Sequence, residues 1–231
     1  MSRTTGYARP TRRQAHKQER IMAPRLSDNA PTPPIIPVVV VEDADDALPL
    51  ADALLEGGLT SIEMTLRTPA GLPAARRIAE ARSDMLVGVG TVLTPDDLQA
   101  CLDAGVHFTV SPGLSPRLLD AVASSPIPHL PGCQTVSEVM TCRDQGLIDV
   151  KLFPASLAGG TAMAKAIHSV MPDMKVCPTG GIKAETAAET LAEPNIFAVG
   201  GTWLTPKEAI EAKDWNRITD LARQACASLS Y

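Results

Sequence analysis

The run Ile148-Asp149-Val150-Lys151-Leu152-Phe153-Pro154 reads as a strand with one cation at its centre. Side chains alternate between the faces of a strand, so Val150 and Leu152 share one face and Lys151 projects from the other. On an edge strand such a lysine meets water, which is where most lysines sit. Inside a closed parallel sheet, burial favours the neutral amine over the ammonium. A neutral amine is a nucleophile that condenses with a ketone. The elements on either side decide between the two settings.

Outward from this run, short β-branched segments alternate with Ala/Leu-rich helical patterns from residue 34 onward. Strands are expected at 35–41, 61–66, 86–91, 108–110, 129–130, 150–153, 175–179 and 196–200. Helices are expected at 44–56, 70–82, 95–104, 116–124, 136–145, 161–170, 184–191 and 207–212, with a last helix over 215–229 on the exterior. Thr94-Pro95 and Ser115-Pro116 each place a capping side chain before a proline at the first helical position. Gly57-Gly58, Gly105 and Gly146 follow helices as stop signals. Eight strand–helix units in strict alternation predict an α/β fold with an all-parallel sheet, closed as a single-domain (β/α)8 TIM barrel. Gly88-Val89-Gly90 opens a dinucleotide fingerprint, but Leu93 stands where its third glycine belongs.

The barrel is expected over residues 31–231, and residues 1–30 read as a disordered basic extension. That extension carries seven of the 21 Lys+Arg and two of the 26 Asp+Glu, leaving 14 basic against 24 acidic residues, a net of −10, for the rest. Arg12, Arg13, Lys17 and Arg20 resemble an Arg-rich transit segment, yet no amphipathic stripe accompanies them, and Met22 could open the chain. A body of that charge does not bind nucleic acid by bulk electrostatics. No apolar run approaches the ~20 residues that span a bilayer, so no membrane partner is expected. Five cysteines without a CxxC pair suggest reduced thiols and a cytoplasmic setting. His16, His107, His129 and His168 lack metal-site spacing, so no metal and no cofactor is expected.

In such a barrel the chemistry gathers at the C-terminal ends of the strands. Along Ile62-Glu63-Met64-Thr65-Leu66-Arg67, the odd positions are polar and are expected to face the interior. They read as a base and an anion-binding fork, or as a buried Glu63–Arg67 scaffold pair, a poor source of stability. Thr91 closes the third strand, beside glycines that leave interior room. Ser111-Pro112-Gly113 forms a rim turn after the fourth, for which ordinary turn chemistry is an equal explanation. Pro178-Thr179-Gly180-Gly181 and Val199-Gly200-Gly201-Thr202 follow the last two strands, the usual phosphate site of this fold, although Gly-Gly is also a plain breaker. Cys177 and Cys133 lie close to these turns and read as buried, inert thiols.

These residues together resemble the bacterial KDPG/KHG aldolase family over about 35–225. The motifs are Glu63-Met-Thr-Leu-Arg67, Gly88-Val-Gly-Thr91, Ser111-Pro-Gly113, Lys151-Leu-Phe-Pro154, Cys177-Pro-Thr-Gly-Gly181 and Gly200-Gly-Thr202-Trp-Leu204. The resemblance implies a cofactor-free class I aldolase that cleaves 2-dehydro-3-deoxy-6-phosphogluconate in the Entner–Doudoroff pathway. It makes Lys151 the Schiff-base lysine and Glu63 the general acid/base. Arg67 and Thr91 match positions that hold the pyruvate carboxylate, Pro112 and Phe153 are substrate contacts, and Thr179 lies where stereochemistry is set. Gly180, Gly181, Gly201 and Thr202 match the phosphate loops. A homotrimer and a phosphorylated 2-keto acid as partner are implied as well. Thr202 replaces a frequent serine, and Cys133-Gln134 replaces a more usual apolar–Ser pair, which bears on substrate preference. The alternatives are cleavage of 4-hydroxy-2-oxoglutarate or the galactonate epimer, and more distantly a sugar-phosphate isomerase or epimerase, or a non-catalytic barrel.

Overall fold

The computed structural model of the chain describes residues 23–229. The strands are β1 (Ile35–Val39), β2 (Ser61–Thr65), β3 (Leu86–Gly90), β4 (Phe108–Val110), β5 (His129–Leu130), β6 (Gly132–Cys133), β7 (Asp149–Leu152), β8 (Lys175–Pro178) and β9 (Val199–Gly201). Helices α1 (Ala47–Glu56), α2 (Gly71–Ala81), α3 (Pro95–Asp103), α4 (Pro116–Val122), α5 (Val136–Asp144), α6 (Gly160–Val170), α7 (Ala184–Leu191), α8 (Lys207–Glu211) and α9 (Trp215–Leu229) alternate with them, except that β5 runs directly into β6 and α8 into α9. Every ladder is parallel.

The caps follow the local sequence. Thr94 accepts from the Asp97 N–H while Asp97 reaches back to the Thr94 N–H, with Pro95 between them. Thr135 and Glu138 form a second reciprocal box at the start of α5, and Ser115 caps α4 by accepting from the Leu118 N–H. Gly58 (φ 94°) and Gly146 (φ 79°) turn the chain out of α1 and α5 in the left-handed region that a side chain disfavours.

The expected single closed ladder appears as two sheets, one ordered β5-β4-β3-β2-β1-β9 and the other β6-β7-β8. Pro131 explains the first interruption. It stands between β5 and β6 and has no N–H to donate to a ladder, although its carbonyl still accepts from the Lys151 N–H at 2.8 Å. At the other junction β8 meets the β9 segment through two isolated bridges, Val176 to Ile196 and Thr179 to Gly200.

Alternation sorts the side chains into two cores. Ile35, Val39, Ile62, Met64, Val87 and Val89 pack outward against helical residues such as Leu50, Leu54 and Ile78. The second cluster lies inside and joins Ile36, Phe108, Val110, Leu130, Cys177 and Ala198 with Leu26. Leu26 belongs to the stretch expected to be a tail, yet it is 2% exposed. The next residue fixes it there. Ser27 donates its N–H and its hydroxyl to the buried Asp149 carboxylate at 2.7 and 2.8 Å. Since Asp149 opens β7, this segment stoppers the N-terminal end of the interior, and the packed unit begins before residue 31. The basic cluster at 12–20 and Met22 lie outside the described residues. Among the described residues, no helix is long and apolar enough to cross a membrane.

Candidate active site

Lys151 projects from β7 into the interior, and Glu63 projects from β2. Their strands share no ladder, so the two side chains meet across the interior. Lys151 Nζ lies 3.3 Å from Glu63 Oε1, with side chains only 6% and 4% exposed. The pair therefore rests in a medium where charge is costly and proton transfer between the partners is short. Phe153, two residues along from Lys151, sets its ring under the amine, 5.0 Å from Nζ to the centroid.

Glycine makes the room. Gly88 and Gly90 face inward from β3, and each faces a large side chain. A Cβ on Gly88 would lie 2.2 Å from Phe108 Cζ, and one on Gly90 would lie 1.9 Å from Glu63 Oε1. Phe108 thus fills the level above Leu26, and the Glu63 carboxylate occupies the level above that. On the far side, Gly132 and Cys177 are the ladder partners of Lys151. The Cys177 thiol is fully enclosed, and desolvation pushes it up to about 12. Cys133 is buried with its sulfur 3.6 Å from that of Cys142. Sharing a hydrogen bond with that thiol and loss of solvent both raise it. Both cysteines match the inert thiols expected of them.

The remaining expected site residues divide. Thr91 follows Gly90 at the end of β3 and adopts φ 64°, a left-handed conformation unusual for a β-branched residue. Such strained positions are enriched in sites where the backbone is held by its surroundings. Thr179 is buried at the end of β8, with Gly200 giving way to it: a Cβ there would lie 2.4 Å from Thr179 Oγ1. Gly180 and Gly181 then take consecutive φ values of 91° and 83°. The bridge from Thr179 to Gly200 sets this turn beside Gly201-Thr202, where the Thr202 side chain is exposed. Pro112 is exposed in the turn after β4.

One interior assignment on β2 changes. The strand ends at Thr65, and Arg67 is exposed in the turn beyond it, with no ion pair to Glu63 among the described residues. Ladder pairing runs out at Thr65 with Gly90, and the following Leu66 N–H bonds back to the Gly90 carbonyl at 2.9 Å as the chain turns. Thr65 does lie within the strand, but its hydroxyl is spent on the Val39 carbonyl at 3.0 Å. Sequence reading missed Leu26 and the Ser27–Asp149 contact. A serine next to a lone leucine gives no periodic signal.

A family model described as KDPG and KHG aldolase matches residues 27–221. The chain is 44% identical over 191 residues, 83% of its length and 87% of the relative's, to the 2-dehydro-3-deoxy-phosphogluconate aldolase of Pseudomonas aeruginosa. It is 43% identical to the KHG/KDPG aldolase of Escherichia coli, over 84% of this chain and 91% of that one. A crystal structure of KDPG aldolase from Legionella pneumophila, with pyruvate captured as a covalent carbinolamine, superposes with a TM-score of 0.80 and 45% identity. That match covers 82% of this chain and 92% of the other. A family model matched over most of the chain and near full-length relatives agree: the chain belongs to the KDPG and KHG aldolase family.

Proposed function

We propose that the chain is a class I aldolase that cleaves 2-dehydro-3-deoxy-6-phosphogluconate to pyruvate and glyceraldehyde 3-phosphate, a step of the Entner–Doudoroff pathway. The observation that carries this reading is the enclosed Lys151–Glu63 pair at 3.3 Å. In the proposed cycle Lys151 passes a proton to Glu63 and its free amine attacks the C2 ketone. Glu63 returns the proton to the carbinolamine hydroxyl, which leaves as water and gives the iminium. Glu63, now a carboxylate, takes the proton of the C4 hydroxyl. The C3–C4 bond breaks, its electrons flow into the iminium, and glyceraldehyde 3-phosphate departs. The enamine is protonated at C3, and water releases pyruvate and regenerates the amine. One carboxylate therefore moves every proton.

The substrate contacts are part of the proposal. Arg67 and Thr91 at the mouth hold the carboxylate, Arg67 reaching inward from its exposed turn. Pro112 and Phe153 flank the imine, and Thr179 contacts the C4 hydroxyl. Gly180, Gly181, Gly201 and Thr202 hold the phosphate, a role supported by the adjacent turns and their positive φ values. We also read the two sheets as one closed (β/α)8 barrel, supported by the bridges between β8 and the β9 segment and by the single residue between β5 and β6. A homotrimer is proposed on the family resemblance, and the exposed Leu93 and Leu157 supply apolar rim for it to cover. The buried thiols of Cys101, Cys133, Cys142 and Cys177 support a cytoplasmic setting.

Pyruvate with borohydride is expected to fix a mass adduct on Lys151, located by peptide mass spectrometry. An adduct that persists in Lys151→Ala moves the nucleophile elsewhere and ends this reading. The E. coli relative's name, KHG/KDPG aldolase, favours one second activity, cleavage of 4-hydroxy-2-oxoglutarate. Comparing kcat/KM for substrates with and without the phosphate decides the preference.

A further inference from the structure

Strands β4 and β5 carry a buried polar triad on the face turned away from the interior. His129 is the ladder partner of Thr109, and alternation directs both opposite to the interior residues Phe108, Val110 and Leu130. His129 Nδ1 lies 2.8 Å from Thr109 Oγ1, and Nε2 lies 3.0 Å from Ser111 Oγ. Thr109 and Ser111 are wholly buried and His129 nearly so. Desolvation lowers the imidazole to about 3. The ring is thus neutral, and each nitrogen bonds one hydroxyl, with the tautomer deciding which of them donates.

The two hydroxyls lead to different places. Thr109 sits within β4, where its N–H already donates to the Pro128 carbonyl at 2.9 Å. Ser111, whose N–H donates to the Leu130 carbonyl at 3.1 Å, is the first residue beyond β4 and opens the turn Ser111-Pro112-Gly113. Pro112 has no N–H with which to tie that turn to a ladder. Its carbonyl rests on Gly132, where a Cβ would lie 2.2 Å from the oxygen. Gly132 pairs with Lys151, and the carbonyl of Pro131 accepts the Lys151 N–H. An unbroken line of contacts runs from His129 through Ser111, Pro112 and Gly132 to the lysine.

We propose that His129 is a positioning residue for the aldol site: its bond to Ser111 fixes the Pro112 turn against the Lys151 strand, whereas its bond to Thr109 only stabilises the sheet. This rests on the reading of Lys151 as the imine-forming residue. The sequence reading left His129 as a histidine without ligand spacing. The signal available there was the Thr-x-Ser pair one strand earlier.

The two bonds can be cut separately. Glutamine in place of the histidine carries its amide nitrogen near the Nε2 position, and asparagine carries its own near Nδ1. Ser111→Ala and His129→Asn are expected to lower kcat, and the rate of imine formation from bound pyruvate, about tenfold, the scale of a small misplacement of reacting groups. Thr109→Val and His129→Gln are expected to stay within about twofold of the parent, although each loses a buried hydrogen bond and some thermal stability. Loss of rate that tracks melting temperature regardless of which bond is cut overturns the proposal. So does an unchanged rate in Ser111→Ala. If His129→Asn fails to fold, the two variants that each delete a single hydroxyl carry the comparison. The unaltered protein separates the two levels of inference. A parent chain without a Lys151 adduct refutes the aldolase reading, whereas a normal adduct with a flat variant series refutes only the role of His129.

Discussion

The Glu63 carboxylate fills the space that a side chain on Gly90 would need: a Cβ there would come within 1.9 Å of Oε1 and 2.7 Å of Cδ. The two residues are ladder neighbours in effect, since Glu63 pairs with Gly88 and Thr65 with Gly90. Gly90→Ala is therefore expected to displace the carboxylate from Lys151 while leaving the fold in place. The stability cost should be that of one extra methyl in a packed core, about 1–3 kcal/mol. Turnover should fall by ~100-fold or more, because the proton shuttle loses its reach. Steady-state kinetics beside a thermal melt check this; full activity in Gly90→Ala refutes it.

The buried pair supports a second expectation, concerning stability. Lys151→Met leaves a carboxylate enclosed without its cation and should cost about 3–5 kcal/mol, whereas Lys151→Met with Glu63→Leu should regain most of that loss. Urea midpoints of the two variants against the parent measure it. A double variant less stable than the single one contradicts the expectation. Glu63→Gln is a separate probe of chemistry. It should turn over about 10²–10⁴-fold more slowly and still yield a borohydride-trapped pyruvate adduct on Lys151.

His129 gives the pH dependence a definite sign. Its imidazole stands at about 3 in the folded chain against an ordinary 6.5, so between those values the unfolded chain binds the proton more readily. Stability is full above pH 6.5 and is lost progressively as pH falls toward 3, with a limiting slope of about 1.4 kcal/mol per pH unit from this group. His129→Gln should flatten that acid limb in denaturant titrations between pH 4 and 7. A limb of unchanged steepness assigns the acid sensitivity to other groups.

Thiol chemistry reports on enclosure of the interior. Cys101 and Cys177 are both pushed up to about 12 by desolvation, and the thiolate is the reactive form. Iodoacetamide at pH 8 should leave both unmodified in the native protein and modify all five cysteines in urea. Rapid native alkylation of Cys177, read by peptide mass, would mean that the interior admits the reagent down to the level of Lys151.

Much of this architecture is legible in the chain because its signals are local. Strands at 108–110 and 129–130 and helices at 184–191 and 215–229 fall where periodicity places them. Thr94, Ser115 and the helix-ending glycines act as their residue types dictate. Elsewhere strand ends shift by one to three residues. Arg67 shows why that matters, since alternation assigns it to the interior only while the strand lasts, and the strand stops at Thr65. The break at Pro131 could have been foreseen from its missing N–H, but whether the sheets join depends on pairing between distant segments, which spacing does not encode. The Lys151–Glu63 meeting was legible as two inward polar side chains. The structure adds that they come from unpaired strands and that Gly90 keeps the carboxylate in reach. Leu26 was hidden because a single apolar residue in a basic head carries no period.

Leu26 and Phe108 share the inner cluster with Cys177, the ladder partner of Lys151, and among the described residues they fill the N-terminal end of the interior. In the proposed reaction, a six-carbon acid phosphate is expected to enter from the opposite end and its fragments to leave there. The aldehyde half, nearest the exit, has to clear before the water that frees the bound three-carbon half can arrive. With the proposed imine on Lys151, release is expected to be ordered with pyruvate last, so added pyruvate should compete directly with the incoming substrate while the aldehyde should not.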